Sequence, residues 1–189
     1  NENTNLKNNL GEDLDEMEEM IKGYLEFAKD DREEEMVEAN LFKIVQLAAK
    51  SSDPSLNKIE ISPPSYDLPI FPMQVRSINR ALINLLNNAI KYAGKAKIST
   101  RLFDDHCEVV IDDNGPGIPD DIIDSVFFPL VSSKEIASGL GLSIVKGIIN
   151  QHGGSIDCSS DETGTTFTIL LPISEINFEK TTRKEGING

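Results

Sequence analysis

"IDDNGPGIP", residues 111–119, sets two aspartates, an asparagine, two glycines and two prolines into nine positions, directly after the apolar run "CEVV" at 107–110. The run reads as a buried strand and the segment as its abrupt end. Asn-Gly and Pro-Gly pairs supply the dihedrals that reverse a chain, so a plain turn is one reading. A nucleotide pocket is the other, with a carboxylate reading a base and glycines letting backbone approach the ligand. The segment alone leaves both open.

The rest of the chain narrows the choice. Its 189 residues can hold one sizeable core and a smaller element. A formal net charge of −14 argues against a nucleic-acid surface, because a polyanion would be repelled. The acids Asp30, Asp31, Glu33, Glu34 and Glu35 read as a solvated junction. Cys107 and Cys158 have no metal-ligand spacing, and packed free thiols in a reducing compartment are the expectation. No run of about 18 apolar residues is present to span a membrane, and there is no signal-peptide pattern. Because the sequence starts at Asn1 without methionine, a piece of a longer protein is expected.

Leu6, Leu10, Leu14, Met17, Ile21, Leu25 and Ala28 recur at gaps of four and three, a coiled-coil-like seam that needs a partner helix. Residues 30–36 read as a linker. "ANLFKIVQLAAK" (39–50) predicts an amphipathic helix with Asn40 as N-cap. "NKIEIS" and "YDLPIF" predict short strands either side of Pro63-Pro64, and a long helix is predicted from Met73 to Tyr92. "AKISTRLF" and "CEVVIDD" follow as strands, then a loop from Asp120 to Ala137 and the helix "GLGLSIVKGIINQ". "GGSIDCSS" and "TTFTILLP" close the sheet. Strands on one face and helices on the other make an α+β, two-layer α/β sandwich, preceded by the coiled-coil-like helix.

Three further segments could carry chemistry. Asn84 and Asn88, four apart, share a helix face that Asn87 leaves. Amide oxygens suit Mg²⁺, which also binds nucleotide phosphates, and Lys91 and Tyr92 follow within a turn. Asparagines in such a place also serve as an ordinary polar stripe. "SGLGLSIVKG" puts Gly139 and Gly141 at a helix start, where free N–H groups and the dipole attract anions, although glycines also serve simple helix entry. Between the glycine clusters, "VFFPLVSSKEIAS" reads as a flap hinged on aromatics, or as an ordinary surface loop.

Taken in order, Asn-x-x-x-Asn-Ala, Asp-x-Gly-x-Gly, Phe-Phe-Pro and Gly-Leu-Gly-Leu resemble the boxes of the catalytic ATP-binding domain of sensor histidine kinases. The resemblance covers about residues 35–173. The segment "DLDEMEEMIKGYLEFAKD" looks like the second helix of that family's dimerisation and phosphotransfer domain, closest to osmosensor-type kinases. The resemblance implies a partial dimerisation helix over 1–31, the ATP-binding domain over 32–175 and a flexible tail over 176–189. It implies ATP and Mg²⁺ as cofactors, with Asn88 on the metal supported by Asn84. Lys91 and Tyr92 would flank phosphates and ribose, with Asn84, Asn88 and Lys91 as the catalytic set. Asp113 would accept from the adenine amino group, with Gly115 and Gly117 shaping the pocket floor. Phe127 and Phe128 would anchor the lid, Lys134 would reach the γ-phosphate, Gly139, Leu140 and Gly141 would close over the phosphates, and Thr165 would sit near the adenine.

By the same resemblance the parent protein would form a homodimer through the N-terminal helix and pass phosphate to a response regulator receiver domain, and this chain would be cytoplasmic, the cytoplasmic part of an inner-membrane sensor. Ala137 departs from the pattern where a lid glycine is common, and the lid is short. His106 and His152 lack the family's phosphoacceptor box, so transfer to a histidine outside this chain is expected. Related ATP hydrolases and serine kinases carry a glutamate at the position of Asn84, which favours histidine transfer here. A degenerate ATP-binding scaffold is the competing reading.

Overall fold

The computed structural model describes residues 34–129 and 140–173. The coiled-coil-like seam, the tail, Lys134, Ala137 and Gly139 lie outside the described residues. The elements run β1 (Val37–Asn40), α1 (Leu41–Ser52), β2 (Ile59–Ser62), β3 (Ile70–Met73), α2 (Val75–Ala93), β4 (Ala96–Leu102), β5 (His106–Asp113), α3 (Asp120–Ile123), α4 (Gly141–Gln151), β6 (Ser155–Asp161) and β7 (Gly164–Pro172). A five-stranded sheet has the order β2-β4-β5-β7-β6, with β2 parallel to β4 and every other pair antiparallel. Helices α1, α2 and α4 pack side by side, and α2 lies across β4, β5 and β7. The α+β two-layer sandwich is therefore the observed fold.

Alternation decides which residues make the core. Cys107, Val109 and Ile111 of β5 and Phe167, Ile169 and Leu171 of β7 point inward at period two and are buried. They meet Leu82, Leu85 and Leu86 of α2 and Val145, Ile148 and Ile149 of α4, which recur at helical spacing. Each such side chain contributes about 1.5–3 kcal/mol by leaving water. Asn40 caps α1 as the sequence predicts. Its Oδ1 accepts the Lys43 N–H at 3.2 Å, while its amide donates to the Leu68 carbonyl at 2.9 Å.

Three local expectations change. The strand expected from Tyr66 begins at Ile70, and Tyr66 itself is exposed. That strand and "NKIEIS" do not pair with each other. β3 pairs instead with β1, a strand not expected between the 30–36 linker and the Asn40 cap, and β2 joins the main sheet. Four-residue strands carry too little alternation for their partners to be read from pattern. Helix α2 starts at Val75, because Met73 belongs to β3 and is fully buried there.

The acidic junction is corrected at one position. Glu34 has a side chain only 9% exposed and caps α2. Its Oε1 accepts the Arg76 N–H at 2.6 Å, and its Oε2 accepts the Ser77 N–H at 3.0 Å and the Ser77 hydroxyl at 2.7 Å. Burial works against its charge, yet these hydrogen bonds and the nearby Arg76 guanidinium hold the carboxyl below its ordinary value. A carboxylate at a helix start satisfies orphan N–H groups and the dipole together.

Candidate nucleotide-binding site

Strand β5 ends at Asp113, and the "NGPGIP" turn leaves the sheet beside the C-terminal half of α2. Between them lies a cavity of about 720 Å³, lined among others by Asn88, Tyr92, Asp113, Gly117, Leu142 and Thr165. The opening segment is thus a turn and a pocket wall at once.

The Asp113 carboxylate is set by its neighbours. Its Oδ1 accepts the Gly115 N–H at 2.9 Å and the Thr165 N–H at 3.3 Å. These bonds orient the group and commit one oxygen to the protein. Gly115 lies behind the carboxylate, where an added Cβ would come within 3.0 Å of Asp113 Oδ1 and 3.1 Å of Ala93 Cβ. Gly117 has φ +78° and no room for a side chain, because a Cβ would sit 2.0 Å from the Asp161 carbonyl oxygen. Gly164, at φ +152°, presses on the Asp113 backbone in the same way, with 1.9 Å from a Cβ to the Asp113 carbonyl oxygen. The hairpin between β6 and β7 is thereby clamped onto the loop that carries the acid.

Helix α2 contributes one face. Asn88 lines the cavity, and Tyr92, one turn on, lines it too. Asn84 is half-buried one turn back, roughly 6 Å along the axis, and does not line it. Asn87 is exposed, as its place on the helix predicts. Lys91 is exposed and outside the lining, with its Nζ 5.3 Å from the centre of the Tyr92 ring. Helix α4 begins at Gly141. Leu142 reaches the cavity, while Leu140 is half-buried and its carbonyl accepts the Ile144 N–H and the Ser143 hydroxyl.

The two expected lid anchors part company. Phe127 meets Phe167 edge-on at 6.3 Å, and the Lys146 ammonium lies 5.3 Å over its ring. Phe128 is 60% exposed and anchors nothing within the described residues.

Several lining residues carried no sequence signal. Ser160 bonds the Ile118 N–H, the Gly164 carbonyl and the Thr165 hydroxyl within 3.0 Å. Ile118, Ile122, Val126 and Phe167 give the cavity an apolar side suited to a flat ring. The lining holds the carboxylates of Asp113, Asp120, Asp161 and Glu162 and, among the described residues, no lysine or arginine. Such an end favours an uncharged, amine-bearing group over phosphate. The positive end of α4 stands where an anion is better placed.

The family model for histidine kinase-, DNA gyrase B- and HSP90-like ATPases matches residues 73–175, which carry the Asp113 loop, the clamp and both flanking helices. The chain belongs to this ATPase family. The chain is 41% identical over 121 residues to the sensory histidine kinase/phosphatase NtrB of Vibrio alginolyticus, covering 56% of this chain and 35% of that protein. It is 31% identical over 175 residues to the sensor histidine kinase GtrS of Pseudomonas aeruginosa, covering 90% of this chain and 36% of that protein. The chain therefore spans about a third of the length of these curated relatives. Among solved structures, the nucleotide-free catalytic domain of histidine kinase ThkA superposes with a TM-score of 0.66 at 28% identity, over 74% of this chain and 96% of that one.

The two histidines and two cysteines do not line this cavity. His152 closes the C-terminal end of α4, where Nδ1 donates to the Ile148 carbonyl at 2.7 Å and Nε2 accepts the Gln74 N–H at 3.0 Å. His152 thus caps a carbonyl of the last turn and ties α4 to the start of α2. His106 stacks on Phe103 at 4.6 Å, with Nδ1 2.6 Å from Asp105 Oδ1. It stands at the opposite end of β5 from Asp113, roughly 24 Å away at about 3.4 Å per residue. Both cysteines are free. Burial pushes the Cys107 thiol up to about 11, and burial with the charges of Asp157 and Asp113 pushes Cys158 up to about 12. No helix among the described residues is long and apolar enough to cross a membrane.

Proposed function

We propose that this chain is the ATP-binding catalytic part of a sensor histidine kinase, which transfers the γ-phosphoryl group of ATP to a histidine other than its own His106 and His152. The observation that carries the reading is the Asp113 carboxylate, oriented by two N–H groups at the end of β5 and facing a cavity with one apolar side. One oxygen serves the protein, and the other is left to take the amino group of adenine. Tyr92 packs beside base or sugar, and Thr165 lies next to Asp113. The phosphates run toward the start of α4, where Gly139, Leu140, Gly141 and Lys134 would meet them.

Among the described residues no three His, Cys, Asp or Glu gather as a metal site. One neutral amide in the cavity wall, that of Asn88, fits an ion that arrives with phosphates and keeps its waters, and Asn84 supports it from one turn back. Mg²⁺ held there would neutralise phosphate charge during transfer.

In the transfer, an imidazole lone pair forms a P–N bond while the bond to the β–γ bridging oxygen breaks, and ADP leaves with that electron pair. Neither histidine of the described residues suits this chemistry. Both nitrogens of His152 are committed, and His106 is at the far end of the sheet. The acceptor would be presented by a dimerisation helix in a homodimeric parent, for onward transfer to a response regulator. In that setting the domain works on the cytoplasmic side of an inner-membrane sensor.

The test mixes the chain with Mg²⁺, γ-labelled ATP and a separate dimerisation domain bearing the phosphoacceptor histidine. Acid-labile label on that partner alone supports the reading. ATP binding without transfer would favour the scaffold reading, and label on this chain alone would overturn the assignment of the acceptor.

A further inference from the structure

Three contacts converge on the hydroxyl of Ser160 in β6. Its Oγ accepts the Ile118 N–H at 2.8 Å and lies 3.0 Å from the Gly164 carbonyl oxygen and 2.9 Å from Thr165 Oγ1. A serine hydroxyl has one proton and two lone pairs. The Gly164 carbonyl can only accept, so the Ser160 proton goes there. The Ile118 N–H fills one lone pair. The contact with Thr165 is then satisfied only if Thr165 donates its own proton to the second lone pair.

That accounting fixes more than the loop. Thr165 is 6% exposed and lines the cavity, and with its proton committed to Ser160 its Oγ1 offers only lone pairs to a ligand. Asp113 stands beside it, joined by the Thr165 N–H, and a carboxylate is also an acceptor. Two acceptors side by side match a primary amine, which carries two N–H donors. They repel a carbonyl oxygen at the same ring position, where two oxygens would face a third.

We propose that Ser160 sets the purine selectivity of the site: by holding the Thr165 hydroxyl as an acceptor, it tunes the base-reading wall for a 6-amino purine against a 6-oxo purine. The inference rests on the reading of the cavity as an ATP site. Ser160 is a positioning residue here, acting through Thr165. Because it also ties down Ile118, its loss loosens the loop for any nucleotide, and affinity alone does not isolate the proton-setting role. The ratio of affinities does.

Calorimetry with ADP and IDP, which differ only in the amine-for-carbonyl exchange and its ring proton, measures that ratio for the full chain. Wild type should prefer ADP. In Ser160→Ala the ADP/IDP preference should fall about three- to tenfold, because the freed Thr165 proton can turn to the 6-oxo group. Thr165→Val should lower the preference too, Thr165→Ser should retain it, and Ser160→Ala added to Thr165→Val should change it no further. Urea unfolding midpoints check that each variant is folded, and should Ser160→Ala not fold, the Thr165→Val and Thr165→Ser pair decides. Equal losses for both nucleotides in Ser160→Ala would reduce Ser160 to a loop tie and overturn the proposal, as would an unchanged preference in Thr165→Val. If wild type binds neither nucleotide, the ATP-site reading itself fails, and this inference with it.

Discussion

The two ends of helix α2 are built on opposite principles. At its start, three backbone N–H groups are matched by protein. Glu34 takes the Arg76 and Ser77 N–H groups, and the Gln74 N–H goes to His152. At its other end, Asn88 and Tyr92 turn toward a cavity, opposite a carboxylate oriented by backbone. One end uses its polar groups to hold the helix between β1 and α4, and the other presents them to a ligand. Polar residues closed by the fold are structural, whereas polar residues gathered round an apolar-sided cavity mark a site.

The sharpest way to break this comparison is Asp113→Asn. The amide keeps the oxygen that the Gly115 and Thr165 N–H groups need, so the urea unfolding midpoint should barely move. ADP affinity should fall roughly ten- to hundredfold, the size of one charge-assisted contact of about 1.5–3 kcal/mol. Unchanged affinity in a titration calorimeter would remove Asp113 from the binding wall.

Asn88→Ala should act next most strongly, and only when magnesium is present. ADP binding in Mg²⁺ should weaken about tenfold, while binding in EDTA stays as in wild type. Equal losses in the two buffers would mean that Asn88 touches the nucleotide directly.

Glu34→Ala should do the reverse of Asp113→Asn. Stability should drop by about 1 kcal/mol through loss of the cap, with ADP affinity almost unaffected. The effect should depend on pH. Because the folded state holds the Glu34 carboxyl below its ordinary value, the stabilisation is complete above that value and is lost as pH falls through the lower, folded one. Wild type and variant should therefore converge in unfolding scans toward acid. A gap that persists unchanged at low pH would show that packing, and not the charged cap, matters at this end.

The smallest signal expected is thiol labelling. With Cys107 raised to about 11 and Cys158 to about 12, neither is a thiolate at pH 8, so native labelling by a disulfide reagent should be very slow and should become fast on unfolding. Fast native reaction at Cys158, the strand partner of the cavity-lining Phe167, would mean that this end of the sheet opens readily.

What the sequence determined by itself was whatever depends on neighbours along the chain. Alternation in β5 and β7, helical spacing in α2 and the Asn40 cap are local patterns with one reading each, so the sandwich and its core were legible. The Asp-x-Gly-x-Gly turn was legible too, because Gly117 tolerates a positive φ that other residues resist. Tertiary structure alone decided the rest, since its causes lie far apart in sequence. Glu34 reads as one more acid in a charged run until Arg76 of α2, 42 residues on, is brought round to meet it. Asn88 and Lys91 are equally good candidates on a helical wheel, and only the position of the cavity separates them. Ser160 has no motif, and its part follows from three partners that the sheet brings within 3.0 Å. A hydroxyl's role is set by where its single proton goes, and that depends on acceptors that only the folded chain assembles.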